Sequence, residues 1–197
     1  LLVYQYFNAD QYAIVNGTLP KDNYGVELTA EKKAVGRDNE FFGWVSYALS
    51  RAAQKTNQPR TELAEYDQTH VLKFVAGFLT GIHAISLRFD LSSGFPYQRT
   101  YGSYQSTATE YYPLRERYRD SRYPMMHRLS LRYALSRQTT WGSWSWYIEV
   151  FNATNAVAYG REQFDYNRPY EPGVNPQLTY LEPRIPILPN FGVEVRF

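Results

Sequence analysis

Along most of the chain apolar and polar residues alternate one by one, the period of an extended strand whose side chains point to opposite faces. The clearest stretch is 189–197: Phe191, Val193, Val195 and Phe197 fall on one face, Asn190, Gly192, Glu194 and Arg196 on the other. The same rhythm predicts strands over about 23–33 (Tyr24, Val26, Leu28, Ala30 on one side) and 41–51 (Val45, Tyr47, Leu49). Two more follow over 69–79 (Leu72, Phe74, Ala76, Phe78) and 82–92 (His83, Ile85, Leu87, Phe89, Leu91). The next pair covers 126–136 (His127, Leu129, Leu131, Tyr133) and 143–153 (Trp144, Trp146, Ile148, Val150), which could continue past Asn155 through VAYGREQF. Residues 1–8, rich in β-branched and aromatic side chains, make an eighth strand. No stretch of useful length has helical periodicity.

The connections follow a second rhythm. Those near 9–22, 52–68, 93–125 and 156–188 are long and carry Gly, Pro, Asn and Asp, the residues of loops. Those between them, AVGRDNE, the turn at Thr80-Gly81 and RQTTWG, are short. Long extracellular loops alternating with tight periplasmic turns is how outer-membrane β-barrels are built. If the last strand descends to the periplasm, every short turn lands on the periplasmic side.

The polar faces carry Glu27, Glu31, Lys73, Arg88, Asp90, Arg128, Arg132, Glu149, Glu194 and Arg196. In a dry core each would be a buried charge costing several kcal/mol without a partner. Lipid against the apolar face and charges in a wet lumen is the cheaper arrangement. The competing reading is a soluble antiparallel sandwich whose charged face meets water, since alternation alone does not separate lipid from protein core.

Composition narrows the classes. The 197 residues carry a net charge of +2, which predicts no nucleic-acid partner. Aromatics are 17%, with 19 Tyr, a residue suited to surfaces apolar on one side and wet on the other. Without Cys, disulfide scaffolds and Cys-bound metals are excluded. No apolar run nears the roughly 20 residues of a transmembrane helix, and the mean hydropathy of −0.52 is compatible with barrel strands. The chain opens on Leu1 rather than Met and so reads as a processed or partial product.

Candidate chemistry is sparse. His70, His83 and His127 are far apart, no closely spaced His/Asp/Glu cluster supports a metal, and Gly142-Ser-Trp-Ser-Trp lacks the second Gly of a nucleophile elbow. The expectation is a non-enzymatic protein without cofactor. Arg88, Asp90, Arg132, Glu149, Glu194 and Arg196 are read as lumen-facing charges, either salt-bridged along the wall or in contact with a plug or a passing solute. In the 93–125 loop, Tyr97, Arg99, Tyr101, Tyr104, Tyr111, Tyr112, Arg115, Arg117, Tyr118, Arg119 and Arg122 suit an anionic or aromatic ligand by stacking and bidentate hydrogen bonds, or lipopolysaccharide contact.

Several short stretches, in order, resemble the C-terminal part of a TonB-dependent outer-membrane receptor. They are Tyr24-Gly-Val-Glu-Leu, Gly43-Trp-Val-Ser-Tyr-Ala-Leu-Ser, Tyr66-Asp-Gln-Thr-His-Val-Leu, Ser93-Gly-Phe-Pro-Tyr and Glu149-Val-Phe-Asn-Ala-Thr-Asn. The end resembles the signal read by the barrel-assembly machinery, here Asn190, Gly192, Val195 and Phe197. The resemblance implies an all-β antiparallel transmembrane barrel in the outer membrane of a Gram-negative bacterium, importing a scarce bulky solute. An iron–siderophore complex, a cobalamin, a glycan or a peptide would fit. It also implies partners: lipid, lipopolysaccharide, the assembly machinery, a plug and, indirectly, TonB. The chain holds no plug domain or TonB box, and its eight strands correspond to the last third of a barrel of about 22 strands. The remaining strands and plug would come from the same or another chain. Alternatively the eight close by themselves into a small structural or adhesive barrel, or a subunit of a surface assembly.

Overall fold

The computed structural model describes residues 2–8, 11–16, 21–36, 39–55, 59–180 and 185–197, all strand, turn or irregular, with no helix among them. Strands β1 (Leu2–Asn8) and β2 (Gln11–Asn16) form a hairpin of their own. The long strands β3 (Lys21–Lys32) and β4 (Glu40–Gln54) pair next, with the two-residue β5 (Glu62–Leu63) beside the end of β4. β6 (His70–Thr80) and β7 (His83–Ser92) make a hairpin closed by Gly81-Ile82, where Gly81 (φ 55°) takes the left-handed conformation a two-residue turn requires. Four short strands follow: β8 (Pro96–Tyr97), β9 (Thr100–Gln105), β10 (Tyr111–Arg115) and β11 (Ser121–Arg122). The chain then runs through β12 (Met126–Thr139), β13 (Gly142–Phe151), the shorter β14 (Tyr159–Gln163) and β15 (Gln177–Tyr180), and β16 (Leu188–Arg196).

Seven long strands form one antiparallel up-and-down sheet in the order β3-β4-β6-β7-β12-β13-β16. They are 9 to 15 residues long, against about 5–6 for an ordinary strand. All three short turns (33–39, 81–82 and 140–141) lie at one end, and Phe197 ends the chain there, its ring 5.8 Å from that of Trp141. The three long connections lie at the other end.

The register keeps every expected apolar position on one face. Leu28, Tyr47, Leu72, Leu91 and His127 follow one another across five strands; Leu87, Leu131, Val150 and Pro189 do so across four. Near the turn end Phe41, Phe78, Ile85, Tyr133, Ile148 and Phe191 make a third row. Nothing among the described residues covers this face: Ile85 is 58% exposed, Leu131 44% and Phe191 84%.

Four expectations are corrected. The first predicted strand does not join the sheet; it pairs locally with Gln11–Asn16, inside the stretch read as loop, because that stretch holds its own β-branched and aromatic residues (QYAIVN). The 93–125 stretch is not irregular: β9 pairs β10 and β8 pairs β11. Strand β13 does not run on through VAYGREQF; it ends at Phe151, Asn152 takes the left-handed conformation (φ 51°), and β14 pairs β15 instead. Among the described residues the sheet does not close on itself: β3 and β16 are its free edges, and no self-contained eight-stranded barrel is found.

The core sits in the long connections rather than in the sheet. Among the described residues Ala64, Tyr123 and Phe164 are buried there, with Asp67, Thr100, Asn152 and Asn175, each at most 2% exposed. The described parts of the connections between β4 and β6, β7 and β12, and β13 and β16 thus form a cap over one end of the sheet.

Candidate functional site

The polar face is ordered by the same register. Lys73, Asp90 and Arg128 stand side by side across β6, β7 and β12; Arg132, Glu149 and Asn190 do so across β12, β13 and β16. The ion pairs form along strands rather than across them. Arg88 grips both oxygens of Asp90, from Nε at 2.9 Å and Nη2 at 3.2 Å, and Arg196 Nε meets Glu194 Oε1 at 2.6 Å. Arg132 makes no ion pair with Glu149; its guanidinium lies 3.9 Å above the Tyr147 ring, and Arg128 lies 4.8 Å above Phe151. Tyr147 in turn covers Gly192, where a Cβ would stand 2.5 Å from the ring. Gly192 is therefore the floor on which Tyr147 lies.

Beneath the cap, at the loop end of β6, β7 and β12, this face lines a cavity of about 360 Å³. Lys73, Arg88, Asp90 and Arg128 form its charged wall, and Asn152, Ala156, Ala158 and Ile185 come from the connection after β13. Arg88 and Asp90 are among the charges expected to face a lumen. Lys73 and Arg128 stood on the same predicted face but were not singled out.

Asn152 explains how that connection is held. Its side chain donates to the carbonyls of Ala156 (3.0 Å) and Ile185 (2.8 Å) and accepts from the Ala156 N–H (3.0 Å). Asn tolerates the left-handed backbone better than most residues. Asn152→Ala leaves these buried groups without partners, at about 1–3 kcal/mol each. Its expected result is a clearly lower thermal unfolding midpoint with the sheet still formed, read by circular dichroism.

The cap is stitched by ions. Asp67, 1% exposed, accepts from the Ala52 N–H (2.5 Å), the Thr69 hydroxyl (2.9 Å) and Arg122 Nη2 (2.5 Å). Arg122 also donates to the carbonyls of Asp67 and Gly94. Burial pushes the Asp67 carboxyl up, but the Ala52 N–H, Arg122 and Thr69 together hold it below the ordinary value. Arg119 meets Glu62 at 3.0 Å, and Arg60 pairs with Asp120. Tyr97 stacks on Tyr123 with centroids 4.2 Å apart, and burial raises the pKa of both hydroxyls.

The Tyr/Arg-rich residues therefore divide. Tyr97, Arg119 and Arg122 turn inward, and Arg99 pairs with Glu116 at 3.1 Å. Arg117 lies 5.7 Å over the Tyr118 ring, and Arg115 is exposed. Tyr101, Tyr104 and Tyr112 remain outside, 55%, 52% and 40% exposed. Tyr112 stacks on Tyr104 and meets Tyr166 edge-on at 5.6 Å, where the Tyr111 N–H donates to the Tyr166 carbonyl. Tyr166 belongs to the 156–188 loop, whose Phe164-Asp-Tyr was the sequence signal for it.

The histidines are not brought together. His70 Nδ1 lies 2.7 Å from the Tyr47 hydroxyl near the loop end of the apolar face, and His83 Nδ1 lies 2.6 Å from that of Tyr133 near the turn end. Tyr133 packs edge-on against Trp146. Among the described residues no three His, Asp or Glu side chains converge as a metal site would need, and no helix is long and apolar enough to cross a membrane. Searches of protein-family models, curated proteins and solved structures find no match to this chain.

Proposed function

We propose that the chain is part of the wall of an outer-membrane transport barrel of the TonB-dependent kind, importing a scarce bulky solute across the outer membrane of a Gram-negative bacterium. One observation carries the reading: a continuous, uncovered apolar face on strands of 9 to 15 residues. Strands of about 9–11 residues suffice to cross a bilayer when tilted, and a soluble domain of this length buries far more apolar surface. Three features add support. Short turns and Phe197 share one end, as a periplasmic rim requires. Tyr, Trp and His side chains cluster towards both ends of the apolar face, where a bilayer interface would lie. The free edges of β3 and β16 need further strands, since open edges are not tolerated in lipid.

Deleting Phe197 from the full-length protein tests the reading. The expected result is several-fold less heat-modifiable, protease-protected protein in the outer-membrane fraction. Normal assembly of the truncated protein, or fractionation of the intact one outside that membrane, would overturn it.

A further inference from the structure

The cavity beneath the cap holds more positive charge than it neutralises. Lys73, Arg88 and Arg128 line it against a single carboxylate, Asp90. Lys73 and Arg128 are the register neighbours of Asp90 on either side, so either would be its natural cross-strand partner. Arg88, two residues away on the same strand, has taken both Asp90 oxygens instead. Lys73 then has no hydrogen bond or ion pair with any described residue, and Arg128 has only the face of Phe151.

We propose that this cavity binds an oxyanion, a carboxylate or phosphate borne on a small molecule, held between Lys73 and Arg128. Its volume of about 360 Å³ lies within the range of small-molecule sites, about 300–1,000 Å³. The wall supplies the two kinds of cation such ligands use: a compact ammonium at Lys73 and a planar guanidinium fork at Arg128. Asn152, Ala156, Ala158 and Ile185 narrow the opposite side. That the anion is cargo rests on the transport reading; that the cavity binds it does not.

The test is calorimetric titration of the full-length protein in detergent at low salt, with inorganic phosphate and with succinate as separate probes. At least one should bind, and the two arms tell phosphate from carboxylate chemistry. Lys73→Gln combined with Arg128→Gln should weaken binding tenfold or more. Asp90→Asn should strengthen it by releasing Arg88, a gain that a merely structural cluster would not give. Arg60→Gln, altering the Arg60–Asp120 pair of the cap, should leave it unchanged. As a measurement on the unaltered protein, the binding probe should slow acetylation of Lys73 but not of exposed Lys21.

Absence of binding by both probes, wild-type affinity in the double variant, or unprotected Lys73 would overturn the proposal. An outer-membrane protein that binds neither anion sinks this inference alone. A binding protein that fractionates elsewhere sinks the transport reading alone.

Discussion

Leu131→Arg in the full-length protein is expected to abolish, or nearly abolish, its assembly into the outer membrane. Leu131 lies midway along the apolar face, with Leu87 and Val150 as its register neighbours on β7 and β12's other partner β13. It is 44% exposed although both of its register neighbours are apolar. If the face meets lipid, an Arg near the bilayer midplane costs about 2–4 kcal/mol, a large share of a marginal stability. If the face met water, the same substitution at a half-exposed site would fall within about 0.5 kcal/mol of neutral. The two readings therefore differ by an amount that is easy to measure. Ser145→Arg is the control, because Ser145 stands on the polar face opposite Glu194 and a cation there gains a cross-strand partner. The readout is heat-modifiable protein in the outer-membrane fraction. A Leu131→Arg protein that assembles as well as the Ser145→Arg protein would sink the lipid-facing assignment.

That test is available because the register was legible in the sequence. Alternation fixes which residues share a face within one strand, and a slip of one residue would exchange the two faces entirely. The seven strands each carry an apolar set, so only a register joining those sets leaves no charge on the apolar face beyond Asp22, Lys32, Arg51 and Arg137 near its ends. The cap was far less legible. Its strands are two to six residues long, too short for alternation to exceed the Gly, Pro and Asn signals around them. Its decisive contacts join residues far apart in the chain: Arg119 reaches Glu62 across 57 positions and Thr100 reaches Glu162 across 62. No local pattern announces such a pair. The arginines of 115–122 consequently read as ligand-binding, while two of them are occupied in holding the cap. The cavity lay between these cases: its four charges stood on the predicted polar face, but that Arg88 rather than Lys73 or Arg128 takes Asp90 is a matter of side-chain geometry alone.

Arg122→Ala is expected to loosen the cap severely already at neutral pH while leaving the long sheet in place, and to flatten what remains of the cap's dependence on acid. Arg122 is the sole cation in contact with the Asp67 carboxylate among the described residues, and that side chain has no solvent exposure. Removing one partner of a buried pair typically costs about 3–5 kcal/mol, because the other charge stays buried without compensation. The sign of the pH effect follows from the balance at Asp67. In the intact protein its pKa lies below the ordinary 3.8, since the Ala52 N–H, Arg122 and Thr69 outweigh the burial that raises it. The stability this contributes is present above the unfolded-state value and is lost as pH falls through the lower folded value. Without Arg122 burial still raises the pKa while the ionic counterweight is gone, so the folded value moves up towards the unfolded one and the part of the stability that acid removes shrinks. Arg122, which also donates to the Thr69 hydroxyl, immediately precedes Tyr123, so the Tyr97–Tyr123 stack reports the change. Its near-ultraviolet circular dichroism should be weak already at neutral pH in Arg122→Ala and change little on acidification, whereas the wild-type signal is full at neutral pH and fades as pH falls through the folded value. Asp67→Asn, which keeps the size of the side chain and removes its charge, should shed this dependence. Identical acid profiles for the wild type and Arg122→Ala would mean that the pair does not hold the cap.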